Sequence, residues 1–593
     1  MLGLVTALTT VALVADAASR PEVIIVALID DLGFSDIQPH GPLSPTPHIG
    51  SLAAAGVELA NMHAYKVCSP SRRSLLSGRF PVHINGHQAP DCSNFLPLEM
   101  TLLSGKLKSA GYGTHFIGKG HLGYMTTDHL PVRRGFDSHV GYLAGDQQYE
   151  HGLQVMCDVP QLANLPDASW CGHWPPRTPP DACHRDMWRG NATASAAYVD
   201  SLAYSTDAYA AEAVRRIEQK PDGEPLFVYL AWQAVHGPWV RPDGRAERLL
   251  QPDDPGYSNY CSEHPLPVPD PRPQGLGRTQ TMRCQFGSML KVLDQGMRNV
   301  TDALHARGLW NSTLLLMMSD NGGVGPGSNY PLRGQKNTPW QGGTRVAAYA
   351  AGGFVPPALR GGRLNTTLSF ADVYPTLVTL AGGDPTDTVT LAGQPRPIDG
   401  ISFWPLLLRS GGRGIASASR SSAAELHEYL PTTEDSIIWQ GRWKLITSAT
   451  LGGAFWFPPG GRGPNNTALP ASPADWPCVN ATPGAPGAAC LICSPTSPCL
   501  FDLLEDEAER VNIAARHPVM VAQLAEQLAA ANNNTYVDGK MSAEQLAKYD
   551  CAADGGKYPR AWWGNFTGPC CRPKPASPQA ASRPGTITAH AHA

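Results

Sequence analysis

Side chains able to do chemistry stand directly after four short apolar runs of this sequence. Each run is nearly continuous in apolar residues, which is typical of a strand that is buried on both faces. In an open α/β sheet, sites lie beyond the carboxyl ends of the strands, so we expect these side chains to share one crevice. The runs and the residues that follow them are 23–29 with Asp30 and Asp31, 114–117 with Lys119 and His121, 226–231 with His236, and 313–318 with Asp320 and Asn321.

The acidic and amide residues of this set indicate a metal site. Asp30, Asp31, Asp320 and Asn321 would offer hard oxygen ligands, which suit Ca²⁺ and, less well, Mg²⁺. Zinc would usually require more histidine or cysteine. Three buried carboxylates would repel one another, so a convergent site requires a cation. Each residue also has a plainer explanation, because an aspartate after a strand is often a helix cap and a lone histidine is often structural.

Cys68 is a second chemical centre. It precedes Pro70, which favours the first turn of a helix, and Leu75 and Leu76, which supply an apolar helix face. Cys68 is therefore predicted at a helix N-terminus, where the backbone donors and the helix dipole favour an anion. From these residues alone, it could be an ordinary thiolate nucleophile or half of a structural disulfide.

The segment Cys68-Ser-Pro-Ser-Arg72, followed by Leu76-Ser-Gly-Arg79, resembles the signature of the sulfatases. Further motifs look like sulfatase motifs in their usual order, and their sequences are closest to those of the arylsulfatase B branch. The resemblance covers about residues 22–410 and, more loosely, residues 500–506. These motifs are Asp30-Asp-Leu-Gly-Phe34, Gly118-Lys-Gly-His-Leu-Gly123, Gln233-Ala-Val-His236, Ser319-Asp-Asn-Gly-Gly323 and Leu332-Arg-Gly-Gln-Lys-Asn-Thr-Pro-Trp-Gln-Gly-Gly343.

This resemblance implies a cofactor and a mechanism. In sulfatases the signature cysteine is oxidised to formylglycine during export, which makes the formylglycine-generating enzyme a partner. The hydrated aldehyde at position 68, a geminal diol, would attack the sulfur of a sulfate ester beside bound calcium. The resulting sulfated enzyme would collapse to the aldehyde and expel sulfate. The implied substrate is a small sulfated molecule or a sulfated glycan, as for an N-acetylgalactosamine-4-sulfatase-like arylsulfatase.

The resemblance also implies a role for each site residue. The calcium ligands would be Asp30, Asp31, residue 68, Asp320 and Asn321. Arg72 would orient the diol, while Lys119 and Lys336 would hold the sulfate oxygens. His121 would be the base for the collapse step, and His236, alone or with Lys336, the acid for the leaving oxygen.

Two departures and two alternatives accompany this interpretation. Family members usually carry Trp where Gly120 stands and Glu where Gln341 stands, which could loosen the pocket wall. A metal-dependent phosphoesterase on a similar fold would use Thr or Ser in place of the aldehyde, and would not need the downstream Pro70 and Arg72. A catalytically silent carbohydrate-binding relative would not need the complete set of catalytic residues that is present.

The chain of 593 residues is long enough for one large core and a lesser one. Its first two-thirds alternates apolar runs with helical patterns, which predicts an α/β domain with a large, mainly parallel sheet flanked by helices, the alkaline phosphatase-like fold of sulfatases. A helix with one apolar face is predicted over 282–304, closed by Gly308. The predicted divisions are a signal peptide (1–18), the catalytic domain (19–410), a linker (411–422), a smaller α+β domain (423–571) and a disordered tail (572–593).

Several features predict passage through the secretory route to an extracellular or lysosome-like compartment. Residues 2–15 are almost wholly apolar and precede a small-residue cleavage pattern, although a buried first strand or helix is the alternative. No other stretch is long and apolar enough to span a bilayer. Of the 14 cysteines, seven lie between Cys478 and Cys571, which suits disulfides. A net charge of -4 does not favour nucleic-acid binding. Asn-x-Ser/Thr sites occur at Asn191, Asn299, Asn311, Asn365, Asn465, Asn480, Asn533 and Asn565.

Overall fold

The protein is described here from a computed structural model. The predicted signal peptide, the predicted linker and residues 575–593 of the predicted tail lie outside the described residues. The structure describes residues 20–84, 95–147, 149, 186–190, 192–193, 204–239, 248–254, 257–261, 280–391, 393–410, 426–430, 434–439, 442–447, 493–533, 536, 548–551 and 571–574.

A ten-stranded sheet forms the centre of the larger part of the chain, in the order β10-β2-β9-β8-β1-β7-β3-β4-β5-β6. Strand β1 lies between two parallel neighbours, β7 and β8, and β3 continues the parallel set with β7 and β4. Strand β9 is antiparallel to β8 and β2, so the sheet is mainly parallel, as predicted. The strands are β1 Val23–Ile29, β2 Val57–His63, β3 Gly113–Lys119, β4 Ser138–Tyr142, β5 Trp188–Arg189, β6 Ala192–Thr193, β7 Leu226–Ala231, β8 Thr313–Ser319, β9 Ala348–Ala351 and β10 Gly362–Ser369.

Both faces of this sheet are covered by helices, which explains why β1, at its centre, is apolar at every position. In β1, Val23 and Ile25 point into one core while Ile24 and Val26 point into the other. Each such aliphatic side chain contributes about 1.5–3 kcal/mol through its burial. The helices are α1 Pro47–Ala55, α2 Cys68–Ser77, α3 Leu103–Ser109, α4 Ser205–Glu218, α5 Tyr257–Tyr260, α6 Gln280–Ala306, α7 Gln341–Thr344, α8 Val373–Leu380 and α9 Trp404–Ser410.

The four predicted strands and the predicted long helix are all present. Strand β3 is longer than predicted, since it includes Lys119, and β8 extends to Ser319. On α6, the predicted face is buried at Phe286, Met289 and Leu293, and Gly308 follows the helix with a φ of 67°. The left-handed conformation at Gly308 ends the helix because it does not continue the right-handed turn. Glycine suits this position because residues with a Cβ rarely adopt that conformation.

The C-terminal part is a smaller α+β unit, as predicted. Four antiparallel strands, β13 to β16, form its sheet in sequence order, and the helix α10 Pro518–Asn533 packs against it. The short strand β18 covers the first residues of the segment predicted as a disordered tail and pairs with β17. A two-stranded ribbon of β11 Thr390–Leu391 and β12 Gln394–Pro395 precedes this unit. The remaining strands are β13 Leu426–Leu430, β14 Glu434–Trp439, β15 Trp443–Ile446, β16 Cys499–Asp502, β17 Tyr549–Cys551 and β18 Cys571–Pro573.

Two disulfides lie within the described residues, Cys261–Cys284 and Cys493–Cys499. The first joins α5 to α6 and the second closes a loop directly before β16. Over the described parts of the chain, no helix combines the length and apolarity that crossing a membrane requires.

Candidate active site

The carboxyl ends of the parallel strands bring the predicted site residues to one edge of the sheet. Asp30 follows β1 and donates its backbone N–H to Ala234 beyond β7, while Asp320 follows β8 and donates to Ile29. Asp31 has a left-handed φ of 58°, and its backbone N–H donates to Asp320 Oδ1 at 3.2 Å. These backbone bonds tie the ends of three strands together, so the side chains that follow them converge as predicted.

Each of the three carboxylates faces a cationic side chain. Lys119 Nζ lies 2.5 Å from Asp30 Oδ2, and Lys336 Nζ lies 2.7 Å from Asp31 Oδ1. Arg72 Nη2 lies 2.7 Å from Asp320 Oδ2. The carboxylates are fully or almost fully buried. The same guanidinium group lies 3.6 Å from Asp30, so Arg72 bridges two of the carboxylates.

The electrostatics of the site reflect this crowding of buried charges. Burial and the charge of Asp320 raise the pKa of Asp30 to about 7, although Lys119 and Arg72 oppose the rise. Burial acts on Asp31 as well, but the charges of Lys336 and His236 outweigh it and hold the pKa of Asp31 below its usual value. The negative charge of Asp30 is therefore disfavoured even with three cationic side chains nearby. An additional bound cation would relieve this repulsion.

The donor set fits a hard divalent cation. One potential ligand atom from each of Asp30, Asp31, Cys68 and His236 lies within 4.8 Å of the others. Asn321 Nδ2 donates to Asp31 Oδ1 at 2.7 Å. Its buried Oδ1 accepts no hydrogen bond from the described residues, which leaves a lone pair for a cation. Three of the five predicted ligands, Asp30, Asp31 and Cys68, thus lie around one point, together with His236. The other two, Asn321 and Asp320, each form a hydrogen bond with Asp31.

Cys68 stands at the beginning of α2, so the helix starts two residues before Pro70. Its Sγ lies 3.5 Å from Asp30 Oδ1 and 4.0 Å from Asp31 Oδ1. Cys68 is free of any disulfide, which excludes the structural-disulfide alternative. Burial and the charge of Asp320 raise the pKa of its thiol well above the usual range. The geometry therefore opposes the thiolate alternative, because a thiolate here would face two carboxylates.

The two predicted catalytic histidines lie beyond β7 and β3. His236 donates from Nδ1 to its neighbour's carbonyl, Gly237 O, at 2.7 Å, and its Nε2 lies 3.6 Å from Asp31 Oδ2. Burial lowers the pKa of His236 to about 4. His121 is buried and has a left-handed φ of 55°. Its ring packs closely on Gly145, where an added Cβ would lie 2.7 Å from His121 Cε1. The acid and base roles of these residues stay predictions.

Residues that support His121 were missed by the sequence analysis. The buried Asp186 accepts hydrogen bonds from the backbone of Leu143 and Ala144, at 3.1 and 2.7 Å. Leu143 O in turn accepts from the His121 N–H at 3.0 Å. Asp186 follows none of the apolar runs, so no pattern in the sequence distinguished it from other aspartates.

The two departures from the sulfatase motifs have distinct surroundings. A Cβ at Gly120 would lie 2.9 Å from the carbonyl oxygen of Tyr142, so a larger residue would require the backbone to shift. Gln341 Oε1 lies 3.1 Å from His63 Nε2, and the Gln341 backbone N–H donates to Glu509 Oε2 at 2.6 Å. Gln341 is buried, and through Glu509 it contacts the C-terminal part of the chain.

Comparison with known proteins agrees with this arrangement. The sulfatase family model matches residues 22–383. Arylsulfatase J of Mus musculus is 31% identical over 536 residues, covering 87% of this chain and 76% of that protein. Arylsulfatase A of Homo sapiens is 30% identical over 409 residues, covering 67% of this chain and 69% of that protein. The crystal structure of Ps i-CgsB in complex with k-i-k-neocarrahexaose superposes with a TM-score of 0.60 at 21% identity, covering 87% of this chain and 94% of that one.

The chain thus combines a mainly parallel sheet with a buried cluster of carboxylates, cations and a cysteine at the carboxyl ends of its strands, an arrangement typical of an α/β enzyme. With the family model and the relatives above, the assignment becomes specific: the chain belongs to the sulfatase family, whose reaction is the hydrolysis of sulfate esters.

Proposed function

We propose that this protein hydrolyses sulfate esters with a formylglycine diol, derived from Cys68, as the nucleophile, and through a covalent sulfated enzyme. The observation that carries the proposal is the free, buried Cys68, which begins a helix inside the carboxylate cluster of a sulfatase. Burial and the charge of Asp320 raise the pKa of this thiol, which opposes the formation of a thiolate. Oxidation to the aldehyde replaces the thiol with a group that does not need to ionise in this way.

Asp30, Asp31, Asp320, Asn321 and residue 68 would hold the metal ion, for which their oxygen donors favour calcium over magnesium. When bound, the ion supplies a positive charge that lowers the pKa of a bound hydroxyl and polarises the sulfate. The buried Asn321 Oδ1, which lacks a hydrogen bond from the described residues, supports this set.

The cationic side chains and the two histidines would each have a separate role in the reaction. Arg72, fixed by Asp320 at 2.7 Å, would orient the hydroxyls of residue 68. Lys119 and Lys336 would hold the sulfate oxygens as negative charge develops on them. Burial lowers the pKa of Lys336, but Asp31 and the other acidic groups of the cluster together outweigh it and raise this pKa well above its usual value, so the side chain remains an ammonium group. His121 would take the proton in the collapse step, and His236 would protonate the leaving oxygen.

The alcohol part of the substrate is proposed to be a sugar, as in a sulfated glycan, with small aryl sulfates also accepted. The proposal of an N-acetylgalactosamine-4-sulfatase-like activity rests on the motif sequences, which are closest to those of the arylsulfatase B branch. We also propose that the chain is exported, that it meets a formylglycine-generating enzyme on the way, and that it works in an extracellular or lysosome-like compartment. The sequons and the crowded cysteines support that route.

The proposal is tested by a turnover screen on protein produced through a secretory pathway. Matched pairs of sulfate and phosphate esters of the same alcohols separate the sulfatase from the phosphoesterase alternative. We expect release of sulfate from an aryl sulfate and from N-acetylgalactosamine 4-sulfate, with the phosphates at least about 100-fold slower. Preference for the phosphates would overturn the proposal, and binding of sulfated sugars without turnover would favour the silent carbohydrate-binding alternative.

A further inference from the structure

We propose that the buried ion pair of Lys444 and Glu509, both from the C-terminal part of the chain, positions the loop that carries Lys336. The two residues lie outside every sulfatase motif of the sequence, and neither contacts the carboxylate cluster itself in the contacts found among the described residues. Their role as positioning residues depends on the proposed function, because it takes Lys336 as a group that holds the sulfate.

The loop around Lys336 is tied to the active site on one side. Lys336 Nζ lies 2.7 and 2.9 Å from the two oxygens of Asp31. The Lys336 backbone N–H donates to Gly323 O at 3.3 Å, and the N–H of Asn337 donates to Lys66 O at 2.7 Å. Asn337 has a left-handed φ of 69°, so the chain turns sharply directly after the lysine. A small displacement of this turn would therefore move the ammonium group away from the sulfate position.

On its other side the same loop is held by the ion pair. Lys444 Nζ lies 2.9 Å from Glu509 Oε1, and both side chains are completely buried. Lys444 also donates to the carbonyl oxygen of Pro339. The second oxygen of Glu509 accepts from the backbone N–H of Gln341 at 2.6 Å. Each partner thus faces the opposite charge and also forms one hydrogen bond with the loop backbone.

The loop is also gripped ahead of Lys336. Arg333 Nη1 donates to the backbone oxygen of Glu509 at 3.1 Å, and its guanidinium group stacks over the Trp340 ring at 3.8 Å. Trp340 meets Phe501 of β16 edge to face, with ring centroids 5.8 Å apart. The C-terminal part of the chain therefore contacts the loop on both sides of Lys336, through Glu509 ahead of it and through the sheet after it, so the lysine lies in a turn that is held at both ends.

Because both residues of the ion pair are charged and buried, the loop that they hold is sensitive to the substitution of either one. Removal of one partner leaves the other charged and buried, which is costly, whereas neutralising both partners retains the packing. Glu509→Gln keeps an acceptor for Gln341, and Lys444→Met keeps most of the side-chain volume. The double variant Lys444→Met/Glu509→Gln is neutral, so it provides a folded test protein if a single variant does not fold.

The experiment is a double-mutant cycle between Glu509→Gln and Lys336→Ala in the full-length exported enzyme. In the presence of Lys336, we expect Glu509→Gln to lower kcat/KM for a sulfate ester about tenfold and to weaken inhibition by inorganic sulfate. In the Lys336→Ala background, we expect the same change to cost less than about twofold, because the lysine that it positions is already gone. Arg442→Met, which removes a pair with Asp502 at 2.6 Å in the same sheet, is the matched control and should change neither constant.

Losses that are the same in both backgrounds would overturn the positioning role, because a general loss of structure adds to any other defect. Unchanged kinetics in Glu509→Gln and in the neutral double variant would overturn it as well. Failure of the wild-type protein to release sulfate from any ester would instead refute the proposed function, so the two failures are distinguishable.

Discussion

Cys68 is the residue whose chemistry decides between the possible mechanisms. We expect exported protein to carry an aldehyde at position 68, detectable by mass spectrometry of the peptide that contains it. Cys68→Ala should abolish turnover and retain the thermal melting of the wild type, because it removes only a small group at the start of α2. Cys68→Ser should transfer sulfate to itself once and stall, since a single hydroxyl has no internal route to expel sulfate. Active enzyme with an unmodified thiol that alkylating agents inactivate would contradict the mechanism.

The two histidines are expected to have separable roles. An aryl leaving group needs little protonation, whereas a sugar alcohol needs much. His236→Ala should therefore lower kcat/KM for a sugar sulfate at least about tenfold more than for a nitrophenyl sulfate. His121→Ala should slow both substrates equally and accumulate the sulfated enzyme, which intact-protein mass spectrometry would detect. Equal losses on both substrates in His236→Ala would refute the assignment of the acid.

Gly145 offers a test of how closely His121 is held. A Cβ at this position would lie 2.7 Å from the imidazole, so Gly145→Ala should displace the ring and lower kcat about 10- to 100-fold. The control is Gly113→Ala on β3, the strand that leads to His121, where the nearest atom to an added Cβ is 3.8 Å away. Wild-type kinetics in Gly145→Ala would show that the position of this ring is not critical.

At the level of secondary structure elements, the strands and the residues at their ends could be predicted from the sequence. The contacts that join segments distant in the sequence could not. Strands β1 and β7 are apolar without interruption, so their bounds and the residues after them could be located from sequence. Helix α2 was predicted from Leu75 and Leu76, although its start lies at Cys68. By contrast, Asp186 and Glu509 reach the site region only through folding over long sequence separations, and no local periodicity marks them.

Strand β4 carries a buried histidine with a measurable consequence. Neither ring nitrogen of His139 has a hydrogen-bond partner among the described residues, and burial lowers its pKa from 6.5 to about 3. Below pH 6.5 the unfolded chain binds a proton here that the folded protein refuses, so stability falls as the pH drops towards 3. His139→Leu should reduce the loss of melting temperature between pH 7 and pH 5. His305→Leu on the exposed side of α6 is the control, and an equal loss in wild type and His139→Leu would contradict the effect.

At the scale of the whole molecule, the proposed metal site joins the ends of β1 and β8 with the start of α2. A cation bound there stabilises only the folded chain, by an amount that grows with its concentration relative to its dissociation constant. We expect chelation to abolish turnover and lower the melting temperature, and Ca²⁺ to restore both better than Mg²⁺. In Asp320→Asn, the added Ca²⁺ should raise the melting temperature less than in the wild type. Full activity after exhaustive chelation would contradict a metal-dependent reaction.

Every residue of α2 is buried, from Cys68 to Ser77. Leu75 and Leu76 of this helix share a core cluster with the central sheet and α8, so the proposed modifying enzyme would have little access to the Cys68 sulfur atom in the folded protein. Under the proposed mechanism, the oxidation would therefore have to precede the closure of the chain around this segment. The proposal thus makes activation depend on the order of two events, since a molecule that folded before modification would stay inactive for as long as it stayed folded.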